Sequence, residues 1–422
     1  MKRRLLPILM TLVLVCALPI WAAFVTSGDV TNPLVSTAGA TLPPEPVAVS
    51  NAADLQNSIA DGKSVKLTDN ITITSTLEIA RSLTLDLNGH VLKMTGDGSV
   101  LKVSGRATLT IQDSSAAKSG TITGGNAEDG GGVYVEAYAT LEMTGGCITG
   151  CRAVDGGGVY VDYNATLKMT GGCITDCHAS YGGGGIYSYE NLYMGGTAKI
   201  EKCTSKWGSD DAIWNREKCN IYADGGTVDG TVNNQGTIRR SEGAAAETVF
   251  NGTVYNRSAG TIIAGIYNET VENNGTITGG TFWGTVTNKK SAWGNEAGTI
   301  RGGTFAVTFD RSDGTKPEPT LVPWNGKVPR PTSDPEKSGH TFIDWYLGDA
   351  PYDFDTPVNA PLTLTARWKE VPSSGGYYYY PTTDTKADDA KDSPKTADPG
   401  VALYAALSLL SLTGLTCATK KR

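Results

Sequence analysis

Short stretches of alternating apolar and polar residues run through most of the chain. In residues 65–67, 71–73, 77–79 and 83–87, Val, Leu or Ile occupies every second position. Side chains alternate between the two faces of a strand, so this pattern predicts short β-strands with one apolar face. Glycines in pairs and short runs lie between many of the apolar stretches and predict frequent tight turns.

One segment near the start has a helical pattern. In residues 51–60, Leu55 and Ile59 are four positions apart with polar residues between them. This spacing predicts a short amphipathic helix with both side chains directed inward. Such a helix would cover the first strands of a stack, where an open end would otherwise recruit other chains.

Three segments align without gaps at a 26-residue period: 129–154, 155–180 and 181–206. The first two read DGGGVYVEAYATLEMTGGCITGCRAV and DGGGVYVDYNATLKMTGGCITDCHAS, and the third is more divergent. A fixed period of this length predicts a stacked repeat fold. We interpret each segment as one coil of a parallel β-helix with three short strands. Each strand then pairs with its equivalent one coil later, about 4.8 Å away.

This interpretation predicts columns of equivalent side chains. Val133 should lie over Val159 and Ile186, Leu141 over Leu167, and Ile148 over Ile174 and Ile200. Further along, Gly-Thr-Ile recurs at Gly236, Gly260, Gly275 and Gly298, at intervals of 24, 15 and 23 residues. We expect these copies to mark further coils of similar size with one irregular turn, so the β-helix should span residues 51–304.

The run of residues 83–89 and the Gly-Gly-Gly-Val-Tyr-Val coils resemble the right-handed parallel β-helix (pectin-lyase-like) repeats of bacterial surface proteins. A second resemblance covers residues 305–370. Thr341-Phe342, Trp345-Tyr346 and the stretches 354–358 and 362–368 look like the internalin B-repeat (Listeria–Bacteroides repeat), a β-grasp-like module. The fold class is therefore predicted as all-β: a right-handed parallel β-helix followed by a small β-grasp-like module, with apolar segments at both ends of the chain.

The first 27 residues predict a secretory signal peptide. Lys2, Arg3 and Arg4 precede an apolar run to Phe24, and small residues follow. The alternative is an uncleaved membrane anchor, because the run is about as long as a bilayer is thick.

The other end, residues 393–422, resembles the sortase sorting signal of Gram-positive surface proteins. Pro394, Lys395, Thr396 and Ala397 precede an apolar stretch and three terminal cations. The resemblance implies that a sortase cleaves after Thr396 and passes the chain to peptidoglycan. Ser393 and Ala397 depart from the Leu-Pro-x-Thr-Gly pattern, and a simple tail anchor is the alternative. Residues 371–392 are rich in Pro, Ser, Thr and acids and predict an extended linker across the wall.

Composition removes one class of partner. The net charge is −7, and loss of both ends would remove more cations than acids. No basic stripe is available to neutralise phosphates, so we expect no nucleic-acid partner. We expect membrane contact only before sorting.

Six of the eight cysteines lie between the two end segments. Cys151, Cys177 and Cys203 recur every 26 residues, and Cys147 has the same spacing from Cys173. The favoured interpretation is a packed inward column, with disulfides as the main alternative and a metal site as a minor one. We predict no metal and no cofactor.

Acids and tyrosines also recur. Asp129 should stack with Asp155 and Glu136 with Asp162, although each series ends at the third coil. Neither these acids nor His90, His178 and His340 form a recognisable acid–base motif, so we predict no catalytic residues. Tyr134, Tyr160 and Tyr187 form one apparent column, and Tyr138, Tyr163 and Tyr189 a second. The first column could contact a glycan; the alternative is a stabilising aromatic stack.

Together these features predict a non-enzymatic protein covalently attached to the cell wall and exposed on the cell surface. It would act as an adhesin or display protein for host or environmental ligands such as glycans, with sortase and peptidoglycan as partners. The alternative is a surface polysaccharide lyase or glycoside hydrolase on the same scaffold, which would need converging acids and a base. A passive spacer is a third alternative.

Overall fold

The structure is a computed structural model and describes residues 44–206, 211–290 and 297–372. The chain divides into two compact units, residues 1–337 with 341–369 and residues 338–340 with 370–422. The coils and the core of the following module lie in the first unit. The predicted signal peptide, the sorting signal at Pro394, Lys395, Thr396 and Ala397, and all of the predicted linker except residues 371–372 lie outside the described residues.

The described residues are almost entirely β-structure, with a single α-helix among them, α1 (Ala52–Ala60). The strands before the 26-residue repeat are β1 (Val47–Val49), β2 (Val65–Leu67), β3 (Ile71–Ile73), β4 (Leu77–Ile79), β5 (Leu83–Asp86), β6 (Val91–Met94), β7 (Leu101–Val103), β8 (Thr108–Gln112) and β9 (Thr121–Thr123). Those of the repeat are β10 (Val133–Val135), β11 (Thr140–Met143), β12 (Cys147–Thr149), β13 (Arg152–Asp155), β14 (Val159–Val161), β15 (Thr166–Met169), β16 (Cys173–Thr175), β17 (His178–Gly182), β18 (Ile186–Ser188), β19 (Asn191–Glu201) and β20 (Thr204–Ser205).

The later coils contain β21 (Asp211–Asn215), β22 (Asn220–Asp229), β23 (Thr231–Asn234), β24 (Thr237–Arg239), β25 (Val249–Phe250), β26 (Val254–Asn256), β27 (Thr261–Ile262), β28 (Ile266–Tyr267), β29 (Val271–Asn273), β30 (Thr276–Ile277), β31 (Thr281–Phe282), β32 (Val286–Asn288) and β33 (Thr299–Ile300). The last strands are β34 (Thr304–Asp310), β35 (Pro319–Pro323), β36 (His340–Leu347), β37 (Ala350–Pro351) and β38 (Leu362–Glu370).

Parallel pairing between successive coils forms three sheets of a parallel β-helix. Sheet I consists of β4, β7, β10, β14, β18, β21, β23, β26, β29 and β32. Sheet II contains two strand columns that β19 and β22 join, because each of these long strands extends through both. Sheet III contains β13, β17 and β20. The predicted fold class is confirmed.

The predicted side-chain columns are also confirmed. Val133 pairs with Val159, which pairs with Ile186; Leu141 pairs with Leu167; and Ile148 pairs with Ile174, which pairs with Ile200. All of these side chains are fully buried. The alternation within each strand therefore separates an inner apolar column from an outer polar or aromatic one.

The N-terminal cap is as predicted, but the coils begin earlier than residue 51. Leu55 and Ile59 of α1 are buried, and the Asn51 side chain accepts a hydrogen bond from the Asp54 backbone N–H at the helix start. Strand β1 precedes the helix and pairs with β2. We missed it because Val47–Val49 is all apolar or small and short, and so has no alternating pattern.

Each repeat coil has four strands instead of the predicted three. The additional strand is in sheet III, where only small side chains such as Ala153 and Ala179 are buried. Their neighbours Arg152 and His178 are not buried. An alanine between polar residues carries too little apolar signal to predict a strand from sequence.

The expectation of later coils of similar size with one irregular turn was wrong. The 15-residue interval between Gly260 and Gly275 is a complete coil, since Thr261 pairs with Thr276 and Ile262 with Ile277. Val271 likewise pairs with Val286. These coils are shorter because sheet III ends at β20, so the chain passes directly from sheet II to sheet I.

Asparagines fill one inner corner of these shorter coils. The Nδ2 group of each donates to the Oδ1 atom of the next at 2.7–2.8 Å, through Asn215, Asn234, Asn256, Asn273 and Asn288. We call this series the asparagine ladder. The first four side chains are fully buried, so these bonds satisfy amides that would otherwise be costly to bury. The Oδ1 atom of Asn215, where the ladder starts, has no hydrogen-bond partner among the described residues.

The cysteines divide between two of the interpretations that the sequence left open. Cys151, Cys177 and Cys203 form a buried column of free thiols, as the packing interpretation predicts. Hydrogen bonding with the two neighbouring thiols, together with burial, raises the pKa of Cys177, so this thiol remains protonated. Cys147 and Cys173 instead form a disulfide between adjacent coils. They flank Ile148 and Ile174 on the opposite, outer face of the sheet.

Strand β34 is shared by the last coil and the module that follows it. Its Phe305 pairs with Phe282 of β31, whereas Val307 and Phe309 pair with Leu362 and Leu364 of β38. The module core is aromatic: Trp345 is 2% exposed, and its ring lies 4.8 Å from that of Phe309 and 5.6 Å from that of Phe342. In the described part of the chain, no helix is long and apolar enough to cross a membrane.

Replacing Asn256 by Ala should lower the free energy of unfolding by about 3 kcal/mol. The substitution interrupts the asparagine ladder and leaves buried groups of Asn234 and Asn273 without their partner. The measurement is the shift in the thermal unfolding midpoint. The matched control is Asn268→Ala, because the Asn268 amide donates to Asn251 in the same way but is exposed to solvent. Equal effects of the two substitutions would contradict the ladder's contribution.

Candidate functional site

Aromatic side chains form a column on the outer surface of sheet I. Tyr134, Tyr160, Tyr187 and Trp214 occupy the middle position of β10, β14, β18 and the equivalent position of β21. The residues on either side of each are buried in the core, so alternation directs the aromatic ring outward. One aromatic column therefore crosses four consecutive coils.

The rings of this column contact one another. Tyr134 meets Tyr160 edge to face at 5.5 Å, Tyr160 stacks on Tyr187 at 5.7 Å, and Tyr187 stacks on Trp214 at 6.1 Å. These separations are typical of favourable aromatic pairs. The structure thus brings together all three tyrosines that the sequence singled out.

The second tyrosine column is only partly formed. Tyr163 and Tyr189 contact each other at 4.6 Å beside Tyr160 and Tyr187, but Tyr138 is one position later in its coil. Tyr138 has a positive φ of 68° and lies against the Arg106 guanidinium, 4.6 Å from the ring centroid. The sequence comparison had ignored this one-residue offset.

Exposure differs sharply among these rings. Tyr163 and Tyr181 are 57% and 46% exposed, whereas Tyr187 is 2% exposed because its neighbours cover it. Arg216 donates to the Tyr187 hydroxyl at 3.3 Å and lies over the Tyr189 ring at 4.9 Å. Tyr187 therefore supports the surrounding rings from beneath. We define the aromatic face as the partly or fully exposed rings of Tyr134, Tyr160, Tyr163, Tyr181, Tyr189 and Trp214.

Carboxylates border the aromatic face where sheet III meets sheet I. Asp129 and Asp155 pair across adjacent coils, as predicted, and Gly156 then turns the chain with a φ of 65°. A side chain at this glycine would meet the Val159 carbonyl oxygen at 2.4 Å. In the third coil the register shifts, so that Asp155 pairs with Gly182, and Tyr181 contacts Trp214 instead.

Burial raises the pKa of Asp129 to about 6, and the nearby carboxylates of Asp155, Glu128 and Asp162 contribute to this shift. Burial also raises the pKa of Asp155, whose Oδ1 atom has no hydrogen-bond partner among the described residues. Asp162 accepts a hydrogen bond of 3.1 Å from the Tyr134 hydroxyl. This border is therefore acidic and attached directly to the aromatic column.

A cavity of about 580 Å³ lies at the Tyr134 end of the aromatic face. It is lined by Asp97, Gly98, Ser99, Asn126, Ala127, Glu128, Asp129 and Tyr134. Gly98 and Asn126 form a two-way backbone bridge across it, with N···O distances of 2.7 and 3.0 Å. The volume is within the range of small-molecule sites, about 300–1,000 Å³.

Across the described ranges, no group of three or more His, Cys, Asp or Glu side chains is arranged to hold a metal ion. His178 lies in sheet III, where its Nδ1 atom is 2.8 Å from the Thr204 hydroxyl. The predicted absence of enzymatic activity remains a prediction.

Trp214 and Asp211 are the members of this region that sequence reasoning missed. The segment Asp211-Ala212-Ile213-Trp214-Asn215 resembles Gly185-Ile186-Tyr187-Ser188, and this similarity was the available signal. The 26-residue alignment ended at residue 206, so the fourth coil was not compared with the others. Asp211 is 3% exposed and accepts from the Gly183 backbone N–H at 2.9 Å, one coil beyond Asp155.

Comparison with known proteins identifies the module alone. The Listeria-Bacteroides repeat domain family matches residues 305–367. No curated protein and no solved structure matches the chain. Repeat domains of this family occur in surface-exposed bacterial proteins, so the match indicates an extracellular surface protein.

Replacing Asp129 by Asn should stabilise the protein at neutral pH and not at pH near 3. A raised carboxyl pKa means that ionisation costs folding free energy as pH rises from about 4 to about 6. Asparagine removes this cost, by about 1 kcal/mol once solvent screening of a partly exposed group is allowed for. Thermal unfolding midpoints of both proteins as a function of pH provide the measurement.

The exposed residue Asp69 provides the control for this prediction, since Asp69→Asn should leave the midpoint unchanged across the same pH range. If Asp129→Asn shifted the midpoint equally at all pH values, its effect would not come from the Asp129 charge.

Proposed function

We propose that this chain is a cell-wall-anchored surface protein that binds glycans through the aromatic face of its β-helix. The observation that carries the proposal is the aromatic column across four coils, with partly exposed rings on both sides of a buried Tyr187. The attachment is inferred from the terminal sequences, and the ligand class from the chemistry of the face.

The aromatic face suits a carbohydrate in two ways. Aromatic rings provide flat apolar surfaces with a negative π-face, on which the C–H bonds of a sugar ring can pack. Tyrosine hydroxyls and the bordering carboxylates provide partners for sugar hydroxyls. Arg216 and Asp162 hold two of the tyrosines in place, so little side-chain freedom would be lost on binding.

The position of the face favours an extended ligand. Its rings follow the β-helix axis over successive coils instead of surrounding one pocket. A linear saccharide could therefore contact several rings at once, and weak individual contacts would add through a shared chain.

The proposed attachment depends on residues 393–422. Pro394, Lys395, Thr396 and Ala397, the following apolar stretch and the terminal cations resemble a sortase sorting signal. With the predicted signal peptide in residues 1–27, they would hold the β-helix and its module outside the cell wall. The match of residues 305–367 to a module of surface proteins supports the same location.

A glycoside hydrolase is the second candidate, and the paired carboxyl groups of Asp129 and Asp155 favour it. A carboxyl with a pKa near 6 can act as a general acid while a second, ionised carboxylate acts as base or nucleophile. Release of reducing sugar ends from an oligosaccharide bound at this face, abolished by Asp129→Asn, would establish the hydrolase instead.

Replacing Tyr160 by Ala should weaken binding of the preferred oligosaccharide at least about tenfold, the effect of losing ~1.4 kcal/mol of stacking. Calorimetric titration of the full chain, purified in detergent, with ligands selected on a glycan array provides the measurement. Tyr222→Ala is the matched control, because Tyr222 stacks on Tyr193 at 4.3 Å outside the aromatic face. Equal loss in both variants would argue against a site on sheet I.

Replacing Thr396 by Ala should release the protein from the cell wall. If a sortase attacks the Thr396 carbonyl, the variant should move from the muramidase-released wall fraction to the membrane and medium fractions of a sortase-expressing Gram-positive host. Ser393→Ala provides the neighbouring control and should remain in the wall fraction. An unchanged distribution of Thr396→Ala would contradict sortase attachment at this residue.

A further inference from the structure

We propose that the cavity at the Tyr134 end of the aromatic face is a subsite for a sugar residue that carries a free ammonium group, such as glucosamine. This inference rests on the proposed glycan binding and adds the class of glycan. The cavity combines an aromatic wall with acidic side chains, and the two features recognise different parts of such a residue.

The aromatic wall is Tyr134, whose orientation is fixed by its hydrogen bond to Asp162. The ring stands at the end of the aromatic column, so a saccharide lying along the column would place its terminal residue against Tyr134. The backbone bridge between Gly98 and Asn126 fixes the opposite side of the cavity. The site is therefore formed before any ligand enters, which lowers the entropic cost of binding.

Three acidic side chains line the cavity: Asp97, Glu128 and Asp129. Asn126 donates to Asp97 Oδ1 at 3.2 Å, which positions that carboxylate. An ammonium group is a compact charge with three donors, and carboxylates form charge-assisted hydrogen bonds with it. The neutral lining residues Ser99 and Asn126 remain available for sugar hydroxyls, although the Ser99 hydroxyl already donates to the Asp129 carbonyl at 3.0 Å.

The nearby cations do not cancel this negative charge. The Lys102 ammonium lies 5.9 Å from the Tyr134 ring centroid but pairs with Glu136 at 3.4 Å. Arg216 lies against Tyr189, two coils further along. Further carboxylates, Asp155 and Asp162, act on Asp129 and contribute to its raised pKa. An ammonium group entering the cavity would favour the ionised form of Asp129, so its binding is coupled to proton release.

The same charges disfavour an anionic ligand. A uronic acid residue at this position would bring its carboxylate close to those of Asp97, Glu128 and Asp129, and like charges at short range are repulsive. A neutral N-acetylated sugar could pack on Tyr134 but would gain no ion pair. The cavity therefore ranks sugars as amino, then neutral, then acidic, and this order distinguishes the proposal from general glycan binding.

The test compares three ligands of equal length: the trimers of glucosamine, of N-acetylglucosamine and of galacturonic acid. Each is titrated into the full chain at about pH 6.5, where a sugar amine and exposed carboxylates are both largely charged. We expect the glucosamine trimer to bind about tenfold more tightly than the N-acetylated trimer. Its advantage should decrease at high salt, because screening weakens ion pairs at a partly open site.

Substitution then locates the effect. The double variant Asp129→Asn with Glu128→Gln should remove the preference for glucosamine and leave binding of the N-acetylated trimer unchanged. The exposed residue Asp69 again provides the control, as Asp69→Asn should retain the full preference. The salt dependence of the unmodified protein tests the proposal even if the double variant fails to fold.

Equal affinity for glucosamine and N-acetylglucosamine, or tighter binding of the galacturonic acid trimer, would overturn the amino-sugar subsite and leave glycan binding intact. If none of the three trimers bound and a neutral glycan array also gave no ligand, both this inference and the proposed function would be overturned.

Discussion

Parallel, in-register pairing of successive coils is the constraint on which this structure depends. Backbone hydrogen bonds hold each strand about 4.8 Å from its equivalent in the next coil, so every side chain has a counterpart directly above and below it. A coil cannot bury its apolar side chains alone, and the stack provides the missing surfaces. The Val133–Val159–Ile186 column shows the result: three branched side chains, fully buried, at one position of three coils.

Stacking also determines which chemistry each inner corner tolerates. Aliphatic columns fill most of the core, and Phe250, Tyr267, Phe282 and Phe305 continue one column as stacked rings at 4.9–5.4 Å. A buried polar group is acceptable when its neighbour in the column satisfies it, which is how the asparagine ladder avoids the cost of buried amides. Thiols behave as small apolar groups in the Cys151 column, whereas Cys147 and Cys173, at the same register on the outer surface, are bridged.

The outer surface follows the same rule with a different outcome. Residues that stack for packing reasons inside the helix become rows of identical chemistry on the outside, open to a ligand. Tyr134, Tyr160 and Trp214 present aromatic surface along the axis, and Asp129 and Asp155 follow the adjacent corner. A repeat fold thus converts a small repeating motif into an extended aromatic face with an acidic border, which is the basis of the glycan-binding proposal. The terminal signals and the module at residues 305–367 concern where this face is displayed.

The sequence alone determined the architecture, because both of its signals are local and periodic. The 26-residue repeat specified which residues pair between coils, and the two-residue alternation specified which side chains point inward. Tertiary structure decided what depends on contacts between unlike segments. The alanines of sheet III form a strand only beside their neighbours, and loss of that sheet creates the 15-residue coil between Gly260 and Gly275. Likewise, Trp214 joins the aromatic column after an irregular segment, Tyr187 is buried by rings around it, and Asp97 reaches Asn126 and Asp129 across one coil. Repetition can be read from one sequence, whereas these contacts exist only once the coils are stacked.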